Sequence, residues 1–170
     1  MDRFGAAARS RNESARSDSQ HLVSLLRGTW QVRATNIPLW LSNERLAPTI
    51  AFELISDAPL VLSDDVSWNT SDGQREHQLG VDRWNGSGFV RRGLGRRRLR
   101  RSQWSVVGSS SDRNLLVLRL AGSRSTPPGL EVYVREDAEI GDARALAAHS
   151  ATALGLTAEG FASLTWLDRP

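Results

Sequence analysis

The feature that most constrains this chain is a series of eight short β-type segments at nearly even spacing between residues 29 and 135. Each segment is apolar or alternates between apolar and polar residues. Each ends at a cluster of Gly, Pro, Asn, Asp or Ser, the residues that close turns. So many strands with hairpin-type connections predict a mainly β fold, either an up-and-down barrel or a sandwich. The predicted strands are 29–34, 49–55, 60–68, 74–84, 89–94, 102–107, 114–121 and 130–135.

The pattern changes to that of a helix after the last strand. Over residues 142–154 the small and apolar residues recur at helical spacing, with Asp142 as an N-cap candidate and Gly155 as the C-terminal glycine. Residues 1–20, rich in Ser, Arg and Ala, predict a flexible N-terminal tail or a lid, and 21–170 a single barrel domain. An amphipathic stretch over 20–27 predicts a short helix or turn between them.

Composition excludes several kinds of chemistry. The chain has no Cys, and all 22 basic residues are Arg. Thiol catalysis, Cys-ligated metals, Schiff-base lysines and Walker-type phosphate loops are therefore excluded. We expect no metal site and no cofactor, and no Ser-His-Asp or paired-carboxylate motif supports conventional hydrolysis. The lack of Lys is typical of a GC-rich genome. Since no apolar leader or membrane-length segment is visible, we expect a cytoplasmic protein.

The order of elements and three local motifs resemble the lipocalin family, a calycin-type group of eight-stranded barrels. Gly28-Thr29-Trp30 resembles the Gly-X-Trp signature before the first strand. Residues 104–108, followed by Asp112, resemble the second family motif, although Asp112-Arg113 replaces the usual Asp-Tyr pair. Residues 130–135 resemble the last strand, which ends in Arg. The resemblance, over about residues 22–167, implies an eight-stranded antiparallel up-and-down barrel with one C-terminal α-helix packed outside. From the Arg-only composition and the lack of an apolar leader we expect a bacterial cytoplasmic member of the family.

The resemblance also implies three structural residues at the closed end of the barrel. Trp30 would lie across this end with Arg135 packed on its ring, a cation–π pair, and Gly28 would allow the tight entry to the first strand. A barrel of eight strands leaves room for one small ligand at the other end. The ligand implied is a small hydrophobic or amphipathic molecule.

Aromatic residues within the strand patterns are the candidates for contact with that ligand. Which alternate set faces inward is left open by the sequence, because a slip of one residue reverses every side chain. Trp40 falls in the region of the long mouth loop and is the best loop candidate. The full ligand-binding set is Trp40, Phe52, Trp68, Trp84, Phe89, Arg91, Trp104 and Tyr133.

Three polar residues within strand patterns are weak catalytic candidates: Glu53, His77 and Gln103. Inside an apolar barrel, a carboxylate or His would have a shifted pKa and serve as an acid or base. The alternative is that all three face solvent. The catalytic residues are otherwise unknown.

Residues 91–101 contain seven Arg in eleven positions. Three interpretations are open: a solvated hairpin, contact with an anionic group on the ligand, or a nucleic-acid patch. Alternation requires some of these Arg, Arg91 among them, to point inward unless a bulge intervenes.

The sequence thus predicts a barrel that binds a small hydrophobic or amphipathic ligand, with or without an anionic group. An alternative is a cyclase of a bacterial polyketide or tetramate-type pathway that uses the same cavity, since such catalysis needs mainly positioning. An Arg-driven nucleic-acid binder is the weakest alternative. Whether the chain is an enzyme, which ligand it takes and its oligomeric state are left open.

Overall fold

Eight antiparallel strands close into a barrel in the computed structural model, which describes residues 17–95, 101–122 and 127–167. Each strand pairs with the next along the chain, and β1 closes the barrel by pairing with both β2 and β8. The predicted fold class is confirmed. The strands are β1 Gly28–Thr35, β2 Leu46–Asp57, β3 Leu60–Asn69, β4 Arg75–Trp84, β5 Phe89–Gly93, β6 Arg101–Ser109, β7 Leu115–Leu120 and β8 Gly129–Arg135.

Four helical segments and one short strand complete the described structure. Residues 17–26 are helical (α1), overlapping the stretch 20–27. A four-residue helix, α2 Pro38–Leu41, lies between β1 and β2. After β8 come α3 Ala143–His149, α4 Ala158–Ala162 and β9 Thr165–Trp166, which pairs with β1. Residues 1–16, the greater part of the predicted tail or lid, lie outside the described residues. No described helix has the length and hydropathy needed to cross a membrane.

The prediction of a helix over 142–154 is correct at its start and too long at its end. Asp142 caps α3 by accepting the backbone N–H of Ala145 at 3.0 Å. Regular helix ends at His149, and residues 150–155 form turns. Ser150 and Thr152 are weak helix formers, so propensity does not carry the helix farther. Gly155 then takes a positive φ of 63°.

Alternation along the strands separates two hydrophobic clusters. The first fills the barrel and includes Trp30 and Val32 of β1. The second lies outside the barrel wall, beneath α3, and includes Ala34 of the same strand. A bulge between Val32 and Ala34 switches β1 from one cluster to the other.

One turn differs in type from the sequence expectation. Asn85-Gly86 predicts a type I′ turn, which needs two residues at positive φ. Of the non-Gly residues described, only Ala47 and Arg113 have positive φ, so Asn85 does not. Its side-chain oxygen instead accepts the backbone N–H groups of Ser87 and Gly88 at 3.1 and 3.0 Å. The hairpin is present, but an Asx-type turn closes it.

Helix α1 and β8 meet at the closed end of the barrel. Trp30 is fully buried, and its indole N–H donates to the Leu26 carbonyl at 2.8 Å. The guanidinium carbon of Arg135 lies 4.1 Å from the centroid of the Trp30 ring. Gly28 has a φ of 111°, and a Cβ there would lie 2.9 Å from Arg135. The three residues therefore lie in contact with one another at the closed end of the barrel.

Replacing Trp30 with Ala should destabilise the fold by about 3–5 kcal/mol, because it leaves a large cavity under Arg135. We expect the melting temperature to fall by roughly 10 °C or more. Trp166→Ala is a matched control, since Trp166 is partly exposed and packs against Phe161 outside the barrel. A Trp30→Ala protein that melts like the wild type, or no lower than the control, would contradict this role.

Candidate ligand site inside the barrel

The barrel interior contains three buried carboxyl groups and one inward guanidinium. Asp64, Asp82 and Glu131 are 2%, 0% and 3% exposed. They lie on β3, β4 and β8 within the cluster of apolar side chains that fills the barrel. Burying an ionised carboxylate is costly unless it is paired and hydrogen-bonded. What each carboxyl group contacts therefore determines what the interior does.

Asp64 forms an ion pair with Arg91 of β5. The Nε of Arg91 donates to both carboxylate oxygens at 2.9 and 3.0 Å, and Nη2 donates to Oδ1 at 2.6 Å. Gly80 of β4 makes room for this pair. A Cβ at position 80 would lie 2.2 Å from Asp64 Oδ2 and 2.7 Å from Arg91 Cζ. The guanidinium charge is thus matched within the protein.

Asp82 is a buried carboxyl group between Trp104 and Asp64. The indole N–H of Trp104 donates to its Oδ1 at 2.7 Å. Its Oδ2 accepts no hydrogen bond from a described residue, but the Asp82 side chain is hydrogen-bonded to Asp64. Burial, followed by the negative charge of Asp64, raises the pKa of Asp82 to about 8. At neutral pH the group is therefore mostly protonated.

Glu131 accepts two side-chain hydrogen bonds near the mouth of the barrel. The indole N–H of Trp40, on α2, donates to Oε1 at 2.6 Å. The hydroxyl of Tyr133 donates to Oε2. Burial raises the pKa of Glu131, and the two hydrogen bonds oppose that rise. Burial also raises the pKa of Tyr133. The negative charge of Glu131 raises it further, and Asp64 and Asp82 have a smaller effect in the same direction. The polar groups therefore face a common interior.

Aromatic rings surround these polar groups. Phe89 and Trp104 stack with centroids 4.3 Å apart, and Phe52 lies 5.3 Å from Trp104. Trp40 and Trp68 lie 6.2 Å apart at the mouth, where Arg45 covers Trp68 at 4.5 Å. Protein side chains fill the interior in this state. A surface cleft of about 430 Å³ lies elsewhere, lined by outward residues of β1 and β2 such as Gln31 and Thr49.

The structure brings most of the predicted ligand-binding residues into this interior. Seven of them belong to or pack against its apolar cluster, and Arg91 faces Asp64. Trp84 is the one of the seven that is only partly buried. Whether they contact a ligand stays a prediction. The seven are Trp40, Phe52, Trp68, Trp84, Phe89, Trp104 and Tyr133.

The three weak catalytic candidates lie on the exposed surface of the barrel instead. The side chain of Glu53 is 62% exposed and accepts from Arg27 at 3.2 Å. That of His77 is 64% exposed and lies 3.5 Å from Asp65. Gln103 is exposed as well. This is the solvent-facing alternative that the sequence left open.

Sequence reasoning missed Asp64, Asp82 and Glu131, although a signal for them was present. Each stands an even number of residues from an aromatic candidate on its own strand: four before Trp68 for Asp64, and two before Tyr133 for Glu131. Residues separated by an even number share a strand face. Had the aromatic set been taken as the inward face, the same parity would have placed the acids and Arg91 inside.

The Arg-rich run 91–101 is only partly described. Arg91 points inward, whereas Arg92 and Arg101 are exposed and pair across β5 and β6. Residues 96–100 lie outside the described residues. Within the described part of the chain, no group of three His, Cys, Asp or Glu side chains is arranged to hold a metal ion.

Comparison with solved structures finds several barrels of the same fold. Lobster apocrustacyanin A1 matches with a TM-score of 0.62 at 10% identity, over 93% of this chain and 85% of that one. The siderocalin Ex-FABP matches with a TM-score of 0.58 at 12% identity, over 86% of this chain and 95% of that one. The tryptamine complex of the amine-binding protein of Rhodnius prolixus matches with a TM-score of 0.54 at 12% identity, over 79% of this chain and 75% of that one.

No protein-family model and no curated protein matches the sequence. The solved structures that match this chain are lipocalins. The chain therefore has the lipocalin fold: a closed eight-stranded antiparallel barrel with a C-terminal helix. At identities of 10–12%, the likeness extends to the fold alone.

Asp82→Asn should make the stability of the protein less dependent on pH. The folded-state pKa of Asp82 is raised to about 8 from 3.8, so the unfolded chain binds fewer protons between these values. Stability therefore falls as pH rises from about 4 to about 8, by up to about 1.4 kcal/mol per pH unit for this group. Asn mimics the protonated carboxyl at every pH and removes that slope.

Urea unfolding at pH 4, 6 and 8 measures the effect. We expect the variant and the wild type to be similar near pH 4, and the variant to be more stable at pH 8. The control is Asp65→Asn, because Asp65 is partly exposed on the opposite face of β3, beside His77. Parallel stability curves for wild type and Asp82→Asn would show that Asp82 is not a protonated buried acid.

Proposed function

We propose that this chain binds a small amphipathic molecule inside the barrel, with the polar part of the molecule among Asp82, Glu131 and Tyr133. The observation that carries the proposal is the set of buried carboxyl groups within aromatic walls. A core that served stability alone would gain from apolar residues at these positions, because buried ionisable groups cost desolvation energy. Buried groups with shifted pKa values in a ligand-sized barrel are typical of functional sites.

The similar structures support a ligand in the barrel. One is the tryptamine complex of an amine-binding protein, and another is the siderocalin Ex-FABP, which functions through dual ligand specificities. Entry would be at the end where α2 lies, because α1, Trp30 and Arg135 block the other end. The bacterial, cytoplasmic setting expected above is part of this proposal and rests on the sequence alone.

The alternatives have less support. The comparisons offer none for a cyclase. Most of the Arg run that suggested nucleic acid falls at residues 96–100, outside the described structure. An anionic group on the ligand would have needed Arg91, whose charge is matched by Asp64.

Titration with a matched series of amphiphiles tests the proposal. Dodecylamine, dodecanol and dodecanoate share one alkyl chain and differ in head-group charge. We expect at least one of them to quench tryptophan fluorescence saturably, with one molecule bound per chain by native mass spectrometry. Five of the six Trp lie in or against the interior cluster, and Trp166 lies outside it.

The control variant is Trp166→Phe, which removes the outer fluorophore. Quenching by an interior ligand should be retained in this variant. If none of the three amphiphiles binds saturably, or if the quenching disappears with Trp166, the barrel is not the binding site.

A further inference from the structure

The charged groups of the barrel interior do not balance once the ion pair is counted. Among the described residues of the interior, Asp64, Asp82 and Glu131 face a single Arg, Arg91. Because Arg91 makes three hydrogen bonds to Asp64, and because Asp82 is mostly protonated at neutral pH, Glu131 is the buried carboxyl group left without a cation. Arg135 is not available to Glu131: it donates to the carbonyls of Leu25 and Arg27 at the closed end.

Asp82 does not need a cation from a ligand. Burial raises its pKa to about 8, and its side chain is hydrogen-bonded to Asp64 as well as to Trp104. Glu131 is 3% exposed, and its two hydrogen bonds come from the uncharged donors Trp40 and Tyr133. A cationic group on a ligand would therefore pair with Glu131.

Trp40 occupies the position that a donor on a ligand would take. It reaches the interior from a four-residue helix and donates to Glu131 at 2.6 Å. The helix has no side-chain N-cap hydrogen bond, and Leu39 and Leu41, on either side of Trp40, are 44% and 40% exposed. The buried contacts of α2 are thus concentrated in Trp40, so an incoming donor needs to displace mainly this one side chain.

The walls of this space also suit a cation. A positive charge is attracted to the face of an indole ring, and Arg45 already lies over Trp68 at the mouth. A carboxylate on a ligand would instead approach Glu131, while the guanidinium of Arg91 is already paired with Asp64.

We infer that the barrel selects a ligand with a basic nitrogen, whose ammonium group replaces the Trp40 indole as the donor to Glu131. Trp40 is then an internal occupant that closes the site when it is empty. This inference rests on the proposed function and specifies its ligand class. An ammonium group carries a full positive charge, so it adds a Coulombic attraction to the Glu131 carboxylate that the uncharged indole donor lacks.

Comparison of head groups within the dodecyl series tests the selectivity. We expect dodecylamine, which is protonated at neutral pH, to bind at least tenfold more tightly than dodecanol and more tightly still than dodecanoate. Equal affinities, or tighter binding of dodecanoate, would overturn this inference and leave the proposed function standing. If none of the three binds, the proposed function itself fails.

Glu131→Gln tests the position of the ammonium group. Gln retains the shape and an acceptor for Trp40 but has no charge, so the preference for dodecylamine over dodecanol should fall at least fivefold while dodecanol still binds. Asp65→Asn, on the outer face, is the matched control and should retain the preference. Thermal melting checks that both variants are folded. An unchanged preference in Glu131→Gln would place the amine elsewhere and overturn the inference.

Trp40→Phe tests the displacement. The variant keeps a ring at the mouth and loses the N–H donor, so the empty site is held closed less firmly. We expect every amphiphile that binds the wild type to bind this variant several-fold more tightly. Unchanged or weaker binding by Trp40→Phe would show that Trp40 does not compete with the ligand.

Discussion

The guanidinium of Arg135 holds together the elements on which the barrel depends. It lies over the ring of Trp30 on the first strand, belongs to the last strand, and donates to carbonyls of Leu25 and Arg27 at 2.9 Å each. One planar, always charged group therefore joins β1, β8 and the end of α1. Gly28 keeps this approach open, since any side chain there would meet the guanidinium. With this end closed, the interior can exchange its contents only at the end covered by α2.

Closure at one end gives the interior a direction. Apolar side chains such as Trp30, Leu26 and Leu116 lie at or near the closed end. Glu131 lies two residues from the mouth end of β8, whereas Asp82 lies two residues from the closed-end terminus of β4. The buried carboxyl groups are therefore distributed along the interior, and Trp40 and Trp68 lie at the mouth. A molecule inside would be oriented by the acids, and its apolar part would have to fit among the aromatic rings.

Much of the fold could be predicted from the sequence because strand alternation and turn residues are local signals. The eight strands and the N-cap at Asp142 follow from such signals. The end of α3 and the Asx turn at Asn85 depend on local hydrogen bonds that compete with propensity. The site was harder to predict. Whether Asp64 or Glu53 faces inward depends on register, and which acid meets Arg91 depends on pairing across strands. The sequence did contain one usable signal. Asp82 stands two residues before Trp84, and Glu131 two before Tyr133, so each acid shares a strand face with an aromatic residue.

The bulge in β1 makes one strand a member of two cores. Val32 packs inside the barrel, and two residues later Ala34 packs beneath α3 with Leu115 and Ala147. Loss of β1 would expose both clusters at once, and undocking of α3 would leave Ala34 uncovered on a strand that also lines the interior. The helix and the barrel are thus thermodynamically linked, and the outer helix contributes to the rigidity of the wall that surrounds the buried acids. We therefore expect the barrel and the outer helix to unfold together as one cooperative unit.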